Sequence, residues 1–157
     1  KHVNITVHKI ETADQMYKQV DAIFDATDIS IFAAAVADYT PEVLAENKIK
    51  KSDTTLSISL KKTTDILAEM GKRKGASQLV IGFALETENE IENAKSKLIS
   101  KNLDMIVLNS LNNKGAGFQY NTNKITIIDK ANNITEFELK DKSEVAKDII
   151  NKIIELS

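Results

Sequence analysis

The 157-residue sequence contains no cysteine. This absence excludes disulfides, thiolate zinc sites and thiol nucleophiles, and because it suits a reducing compartment we expect a cytoplasmic protein. No apolar run approaches the ~20 residues needed to cross a bilayer, so we predict no membrane partner. The formal net charge of −2 provides no global basic field that would attract nucleic acid. Any anion-binding site must therefore be built from a local group of residues.

Proline and glycine are also scarce, with one and five residues respectively. The glycine-rich stretch at residues 114–118 fits neither the phosphate-loop pattern nor the GxGxxG fingerprint. It predicts a flexible turn, and the lack of that fingerprint disfavours a dehydrogenase-type cofactor domain. Hydrophobic residues make up 42% of the chain and charged residues 28%, which is typical of a folded domain. We expect one domain covering residues 1–157.

Hydrophobic periodicity predicts strands that alternate with helices. The run at residues 29–37 shows no polar alternation after Ser30, which predicts a strand buried on both faces, whereas residues 56–60 predict a strand with one solvated face, at an edge or in a flap. The pattern indicates an α/β fold with a mainly parallel sheet covered on both faces and a late antiparallel hairpin. Other strands are predicted at residues 3–7, 79–84 and 103–108, and a hairpin pairs 125–128 with 134–139. Four helices are predicted: one after a capping box of Thr12 and Gln15, one from Thr63 or Thr64 through Met70, one at 88–101 and one at 145–154.

Asp38 follows the predicted strand at residues 29–37, and ligands of open α/β sheets bind at the carboxyl ends of strands. Its carboxylate would hold Mg²⁺ or accept hydrogen bonds from a sugar or base, or it would be a solvated aspartate that caps the next turn. Further along, Lys48, Lys50 and Lys51 would neutralise phosphates or form a charged edge strand that prevents aggregation. Position alone leaves these alternatives open.

Three other segments carry candidate binding residues. Residues 63–66 open a helix, and the free N–H groups at a helix start favour an anion. These residues also fit an ordinary capped helix without a ligand. As a further alternative, Asp65 would accept hydrogen bonds from a base or ribose. Phe83 offers a ring for stacking or is simply part of the core. Lys97 and Lys101 are four residues apart and lie on one side of their helix, so an anion between them would relieve their repulsion, but paired surface lysines are common.

These motifs occur together in one order along the chain. The sequence resembles the bacterial phosphopantothenoylcysteine synthetase family, the ligase domain often fused behind a flavin-dependent decarboxylase in coenzyme A synthesis. The resemblance runs from about Val3 to the end of the chain. It is carried by Ala-Ala-Val-Ala-Asp-Tyr ending at Tyr39, Lys-Ile-Lys-Lys from Lys48, Thr-Asp-Ile-Leu from Thr64, Gly-Phe-Ala-Leu-Glu-Thr from Gly82, the lysine pair, and Leu-Asp-Met-Ile-Val-Leu-Asn from Leu103.

The resemblance implies a Rossmann-like three-layer domain with a flap around the lysine motif. It also implies a ligase that joins 4′-phosphopantothenate to L-cysteine with CTP, through an acyl cytidylate, in a homodimer. Mg²⁺ would accompany CTP, and FMN would be present only if a decarboxylase domain lies upstream in the parent protein, which would then form a higher assembly. The main alternative is a non-catalytic Rossmann-like nucleotide-binding module.

The same resemblance implies a role for individual residues. Lys48 takes the family's catalytic lysine position, Asp38 helps to place the metal-bound nucleotide, and Lys97 with Lys101 grips the triphosphate. Family members begin this domain with a strand, a turn and an Asn-bearing segment upstream of Val3, so we expect these residues alone not to be fully active. The implied CTP site consists of Phe32, Ala33, Ala34, Asp38, Lys48, Thr64, Asp65, Ile66, Leu67, Phe83, Lys97 and Lys101.

Overall fold

A computed structural model describes residues 2–43, 45, 47–49, 55–110 and 120–157. Helices and strands alternate through most of this part of the chain. The predicted glycine-rich turn at 114–118 and the lysines Lys50 and Lys51 lie outside the described residues. The elements are α1 (Ala13–Phe24), β1 (Ile29–Phe32), β2 (Tyr39–Pro41), β3 (Leu60–Lys62), α2 (Ile66–Arg73), β4 (Leu79–Glu86), α3 (Glu90–Ser100), β5 (Met105–Ser110), β6 (Thr122–Asn123), β7 (Ile125–Asp129), β8 (Ile134–Glu136), β9 (Lys140–Asp141) and α4 (Lys142–Leu156).

Five strands form the central sheet, in the order β1-β4-β5-β7-β8. The pairs β1–β4 and β4–β5 are parallel, whereas β5–β7 and β7–β8 are antiparallel. The late hairpin is confirmed, with Ile128 opposite Ile134 and a turn in which Asn132 adopts a left-handed conformation, φ 65°. The predicted α/β, Rossmann-like class with a mainly parallel sheet and a late hairpin is therefore confirmed.

Two apolar clusters cover the two faces of this sheet. On one face, Phe24 of α1, Met70 of α2 and Leu98 of α3 pack with sheet residues. On the other face, Ile149 and neighbouring apolar residues of α4 pack against the strands. Strand alternation sends successive side chains to opposite faces, so β4 and β5 contribute to both clusters. The result is a three-layer domain in which α1–α3 share one side of the sheet. No helix among the described residues is long and apolar enough to span a membrane.

The strand prediction for residues 29–37 is wrong in length and in burial. β1 ends at Phe32, and residues 33–37 form no regular strand. Ile29 and Ile31 are each 43% exposed. The physical reason is the position of β1 at the edge of the described sheet, with a hydrogen-bonded neighbour on one side only. An apolar run signals surface to be buried, but it does not specify how many neighbours will bury it.

Two segments with alternating apolar residues are not strands as predicted. Residues 3–7 form no strand, and Val3 is 94% exposed. Of residues 56–60, only Leu60 lies in a strand, and Leu56 is 65% exposed. Strand structure requires a pairing partner, and in the described part of the chain neither segment has one along its length. The short pair β2–β3 does form a separate two-stranded sheet, which agrees with a flap.

Each predicted helix is present in the structure, in contrast to the strand predictions above. α1 has its predicted capping box, in which the Thr12 hydroxyl accepts from the Gln15 N–H and the Gln15 side chain accepts from the Thr12 N–H. α2 starts later than predicted, with Asp65 rather than Thr63 or Thr64 as its N-cap, and it continues past Met70 to Arg73. α3 and α4 are confirmed, and three of their apolar residues, Ile99, Ile150 and Ile154, are substantially exposed.

Glycines permit two close contacts that hold α2 in place. A Cβ atom on Gly71 would overlap the backbone carbonyl oxygen of Lys101 at the end of α3. The side-chain amide of Asn102 donates to the Gly71 carbonyl at 2.7 Å, which ties the same two helices together. On β4, a Cβ atom on Gly82 would lie 2.8 Å from a Leu67 methyl carbon. Gly82 thus makes room for a side chain of α2, whereas Gly71 allows a direct backbone approach.

We predict an acid-sensitive contribution to stability from Asp104, a buried carboxylate beside β5. Burial raises its pKa, but hydrogen bonds from Lys74, the Val80 N–H and Lys130 more than offset this and lower the pKa below the ordinary 3.8. A lowered folded pKa stabilises the fold above pH 3.8, and this stabilisation is lost as the pH falls through the folded pKa. Asp104→Asn should cost about 2–3 kcal/mol at pH 7 and reduce the loss on acidification. Urea unfolding at pH 7 and pH 3 measures both effects; an equal acid loss in the variant would contradict the assignment.

Candidate functional site

A cavity of about 160 Å³ opens at the N-terminus of α2. We call it the α2 cavity. Phe32 at the end of β1, the irregular segment after it and Phe83 of β4 form part of its wall, and Lys101 closes it from the end of α3. It therefore lies where β1 ends and a helix begins, the region in which α/β sheets bind ligands. Its lining residues are Met16, Phe32, Ala34, Val36, Ala37, Asp38, Thr63, Thr64, Asp65, Ile66, Leu67, Phe83 and Lys101.

Asp38 is held in this wall by the chain segment that leads into α2. The Thr63 N–H donates to the Asp38 carbonyl at 2.9 Å, and the Thr63 hydroxyl donates to the Ala37 carbonyl at 2.6 Å. Pairing of Tyr39 with Lys62 continues this connection into β2 and β3. Among the described residues, none forms a hydrogen bond or ion pair with the Asp38 carboxylate. The backbone of this residue is thus anchored while its acidic group remains available to a ligand.

Asp65 serves α2 and the cavity together. One carboxylate oxygen accepts from the Ala68 N–H at 3.0 Å and caps the helix, and the other lies 2.8 Å from the Lys101 ammonium. Partial burial raises the pKa of Asp65, but these two hydrogen bonds, together with the positive charges of Lys101 and Lys72, outweigh it and lower the pKa below its ordinary value. The Lys101 side chain is 26% exposed. An ionised acid therefore orients a cation at the cavity wall.

Lys97 does not line the α2 cavity. Its ammonium lies 2.6 Å from a carboxylate oxygen of Glu86, at the end of β4. The sequence predicted that an anion would relieve repulsion between Lys97 and Lys101. The structure supplies a separate carboxylate for each lysine, Glu86 for the first and Asp65 for the second. Spacing along the helix predicted their common side, but their partners come from other elements.

The structure brings most of the predicted site together, although which residues bind a nucleotide stays a prediction. Ala33 lies in another cavity, beside α4, and Lys48 is exposed and outside the lining of the α2 cavity. The lining includes Phe32, Ala34, Asp38, Thr64, Asp65, Ile66, Leu67, Phe83 and Lys101 from the predicted set, and the sequence reasoning missed Met16, Val36, Ala37 and Thr63. Met16 belongs to the predicted helix that follows the capping box, but helical periodicity does not indicate a cavity wall.

Two substitutions of Asp65 should separate its cap from its ion pair. Asp65→Asn keeps a side-chain oxygen for the Ala68 N–H and removes the charge facing Lys101, so we expect unfolding free energy within about 0.5 kcal/mol of the original. Asp65→Ala removes both and should cost about 1 kcal/mol. Urea denaturation compares them. Equal losses for both variants would show that the ion pair, not the cap, carries the stabilisation.

A family model described as the DNA/pantothenate metabolism flavoprotein C-terminal domain matches residues 1–156. The chain belongs to this family. It is 55% identical over 153 residues to a cysteine/cysteine sulfinic acid decarboxylase from an unidentified prokaryote, a match that covers 98% of this chain and 43% of that protein. It is 40% identical over 148 residues to the coenzyme A biosynthesis bifunctional protein CoaBC of Bacillus subtilis strain 168, covering 94% of this chain and 36% of the relative. The chain thus spans less than half the length of these curated relatives.

Solved structures of the family agree with the fold. The crystal structure of the C-terminal domain of a coenzyme A biosynthesis bifunctional protein CoaBC superimposes with a TM-score of 0.77 at 34% identity. The match covers 96% of this chain and 65% of that chain. The resemblance inferred from the sequence motifs and the family membership therefore point to the same group of proteins.

Proposed function

We propose that this chain is part of a ligase that joins 4′-phosphopantothenate to L-cysteine with CTP, in coenzyme A biosynthesis. The observation that carries the proposal is the composition of the α2 cavity. It groups Phe32, Asp38, Asp65, Phe83 and Lys101, which are widely separated in sequence and which the family resemblance assigns to one CTP site. Family membership supports the same reading.

The cavity offers the groups that a metal-bound nucleotide needs. Lys101 would contact phosphate oxygens, and Phe83 would lie against the nucleotide. Mg²⁺ supplies neutralisation of phosphate charge when it is bound. The single available carboxylate of Asp38 fits such an ion, because Mg²⁺ in nucleotide sites takes one or two carboxylates and completes its shell with phosphate and water. Among the described residues no cluster of three or more acidic or histidine side chains offers a metal site made by the protein alone.

The proposed reaction has two steps. The carboxylate of phosphopantothenate attacks the α-phosphorus of CTP and releases pyrophosphate, giving an acyl cytidylate. The cysteine amine then attacks the acyl carbon, CMP leaves with the electrons of the broken bond, and the amine loses a proton. Lys48 would stabilise the negative charge that develops in these steps, from a flap that closes over the site. We also propose a homodimer and a cytoplasmic location.

The decarboxylase relative suggests a second candidate for the parent protein. That relative is named for cysteine and cysteine sulfinic acid decarboxylation, and this chain matches 43% of its length. If the parent carries a decarboxylase portion, FMN would belong to that portion, and the present chain would retain the ligase role or only a nucleotide-binding role. These readings predict different products from the same protein.

The deciding experiment uses the complete parent protein. Phosphopantothenate and cysteine are incubated with CTP, ATP, GTP or UTP, and pyrophosphate and phosphopantothenoylcysteine are quantified. Product with CTP alone is the expected result. ATP-dependent product would retain the ligase class and overturn the base assignment. CTP binding without pyrophosphate release would favour the nucleotide-binding module, and CO₂ from free cysteine or cysteine sulfinic acid without ligation would favour the decarboxylase.

A further inference from the structure

Glu86 does not line the α2 cavity, and the proposed function gives it no role. It ends β4 on the face that carries Val80 and Ala84, which pack with α1–α3. One carboxylate oxygen lies 2.6 Å from the Lys97 ammonium. The Glu86 side chain is only 13% exposed, whereas that of Lys97 is 45% exposed. The acid is therefore the anchored member of this pair, and the cation faces outward.

The other oxygen of Glu86 is also turned toward α3. The Asn93 side-chain amide lies 3.4 Å from it, and the same amide nitrogen donates to the Glu88 carbonyl at 2.8 Å. Both carboxylate oxygens of Glu86 thus face hydrogen-bond donors of α3, which fixes the orientation of the carboxylate toward this helix. An ammonium group has three N–H donors, so a single bond from Lys97 to Glu86 leaves two for phosphate oxygens.

Lys101, one helical turn further, lies 2.8 Å from a carboxylate oxygen of Asp65, and in that pair the acid is the more exposed member. Lys97 of α3 and Lys101, which caps that helix, are therefore paired with carboxylates from β4 and from the N-cap of α2. We propose that Glu86 is a positioning residue that holds the Lys97 ammonium ready for the polyphosphate chain of CTP. The proposal rests on the proposed function. Holding a long side chain before the ligand arrives reduces the ordering cost that binding must otherwise meet.

The test compares kinetic constants of the complete parent protein. Glu86→Gln should raise the KM for CTP roughly three- to tenfold and leave kcat within about twofold, because it loosens Lys97 without removing it. Lys97→Gln should raise that KM at least as much. The double variant should resemble Lys97→Gln alone, since Glu86 acts through Lys97. Glu144→Gln is the matched control, because it breaks an exposed pair with Lys147 on the surface of α4.

An unchanged CTP KM in a folded Glu86→Gln protein would overturn the proposal, as would a lowered KM, which would identify Glu86 as a competitor for Lys97. A normal KM in Lys97→Gln would also overturn it, and this half-exposed lysine provides a test that does not depend on folding of the Glu86 variant. Absence of CTP-dependent ligation in the unaltered parent would instead overturn the proposed function itself.

Discussion

Lys48→Gln in the complete protein should lower kcat for ligation roughly 100- to 1,000-fold. Glutamine retains most of the side-chain length and hydrogen-bonding capacity but carries no positive charge. The loss should fall on kcat, because the proposed role of Lys48 is to stabilise the charge that develops as the acyl cytidylate forms and as the cysteine amine displaces CMP. Lys48 is exposed and lies outside the lining of the α2 cavity in the structure, so its proposed role rests on the family resemblance. Steady-state kinetics with CTP varied at saturating cosubstrates measure the effect.

The matched control is Lys147→Gln, which removes an exposed lysine of α4 and changes the net charge equally. It should retain kcat within about twofold. Normal turnover in Lys48→Gln would exclude the catalytic assignment. A large rise in the KM for CTP at unchanged kcat would place Lys48 in ground-state nucleotide binding instead.

Local sequence signals predicted the elements whose formation depends on neighbouring residues. The capping box of Thr12 and Gln15 is satisfied within five residues, and α1 begins as predicted. The hydrophobic runs of β4 and β5 became central strands because both have neighbours on each side. β1 carries a similar run but lies at an edge of the described sheet, so it is less buried than the run predicts. Sheet position is a property of the whole topology, and periodicity does not report it.

The residues of the α2 cavity were named mainly through family resemblance. Residue chemistry alone left Asp38 as either a ligand or a turn cap. The acidic partner of Lys97 lies on β4 and that of Lys101 is the N-cap of α2. Helical spacing compares residues within one helix, so it did not predict these partners. The sequence predicts Thr63 or Thr64 as the cap of α2, whereas Asp65 takes this role. The Thr63 hydroxyl donates to the Ala37 carbonyl, so a tertiary hydrogen bond engages one of the two predicted caps.

Gly71→Ala should destabilise the protein by about 2–4 kcal/mol and weaken nucleotide binding together. The added Cβ would overlap the Lys101 carbonyl oxygen, and neither partner can yield easily because both belong to backbone in a buried contact. Relief requires α2 and the end of α3 to separate. That movement would strain the hydrogen bond from Asn102 to the Gly71 carbonyl and shift Lys101 away from Asp65. Thermal unfolding and the KM for CTP of the complete protein report the two effects.

Gly75→Ala provides a control in the loop that follows the same helix. The nearest atom to its added Cβ is a Gln78 side-chain oxygen at 3.7 Å, an ordinary contact, so we expect stability within about 0.5 kcal/mol and an unchanged KM. A stable Gly71→Ala protein with normal kinetics would show that the two helices separate without cost. Destabilisation with an unchanged KM would show that Lys101 keeps its place independently of this contact. A Gly71→Ala protein that loses both stability and CTP affinity would demonstrate that a residue with no side chain sets the distance between α2 and Lys101, which lines the α2 cavity.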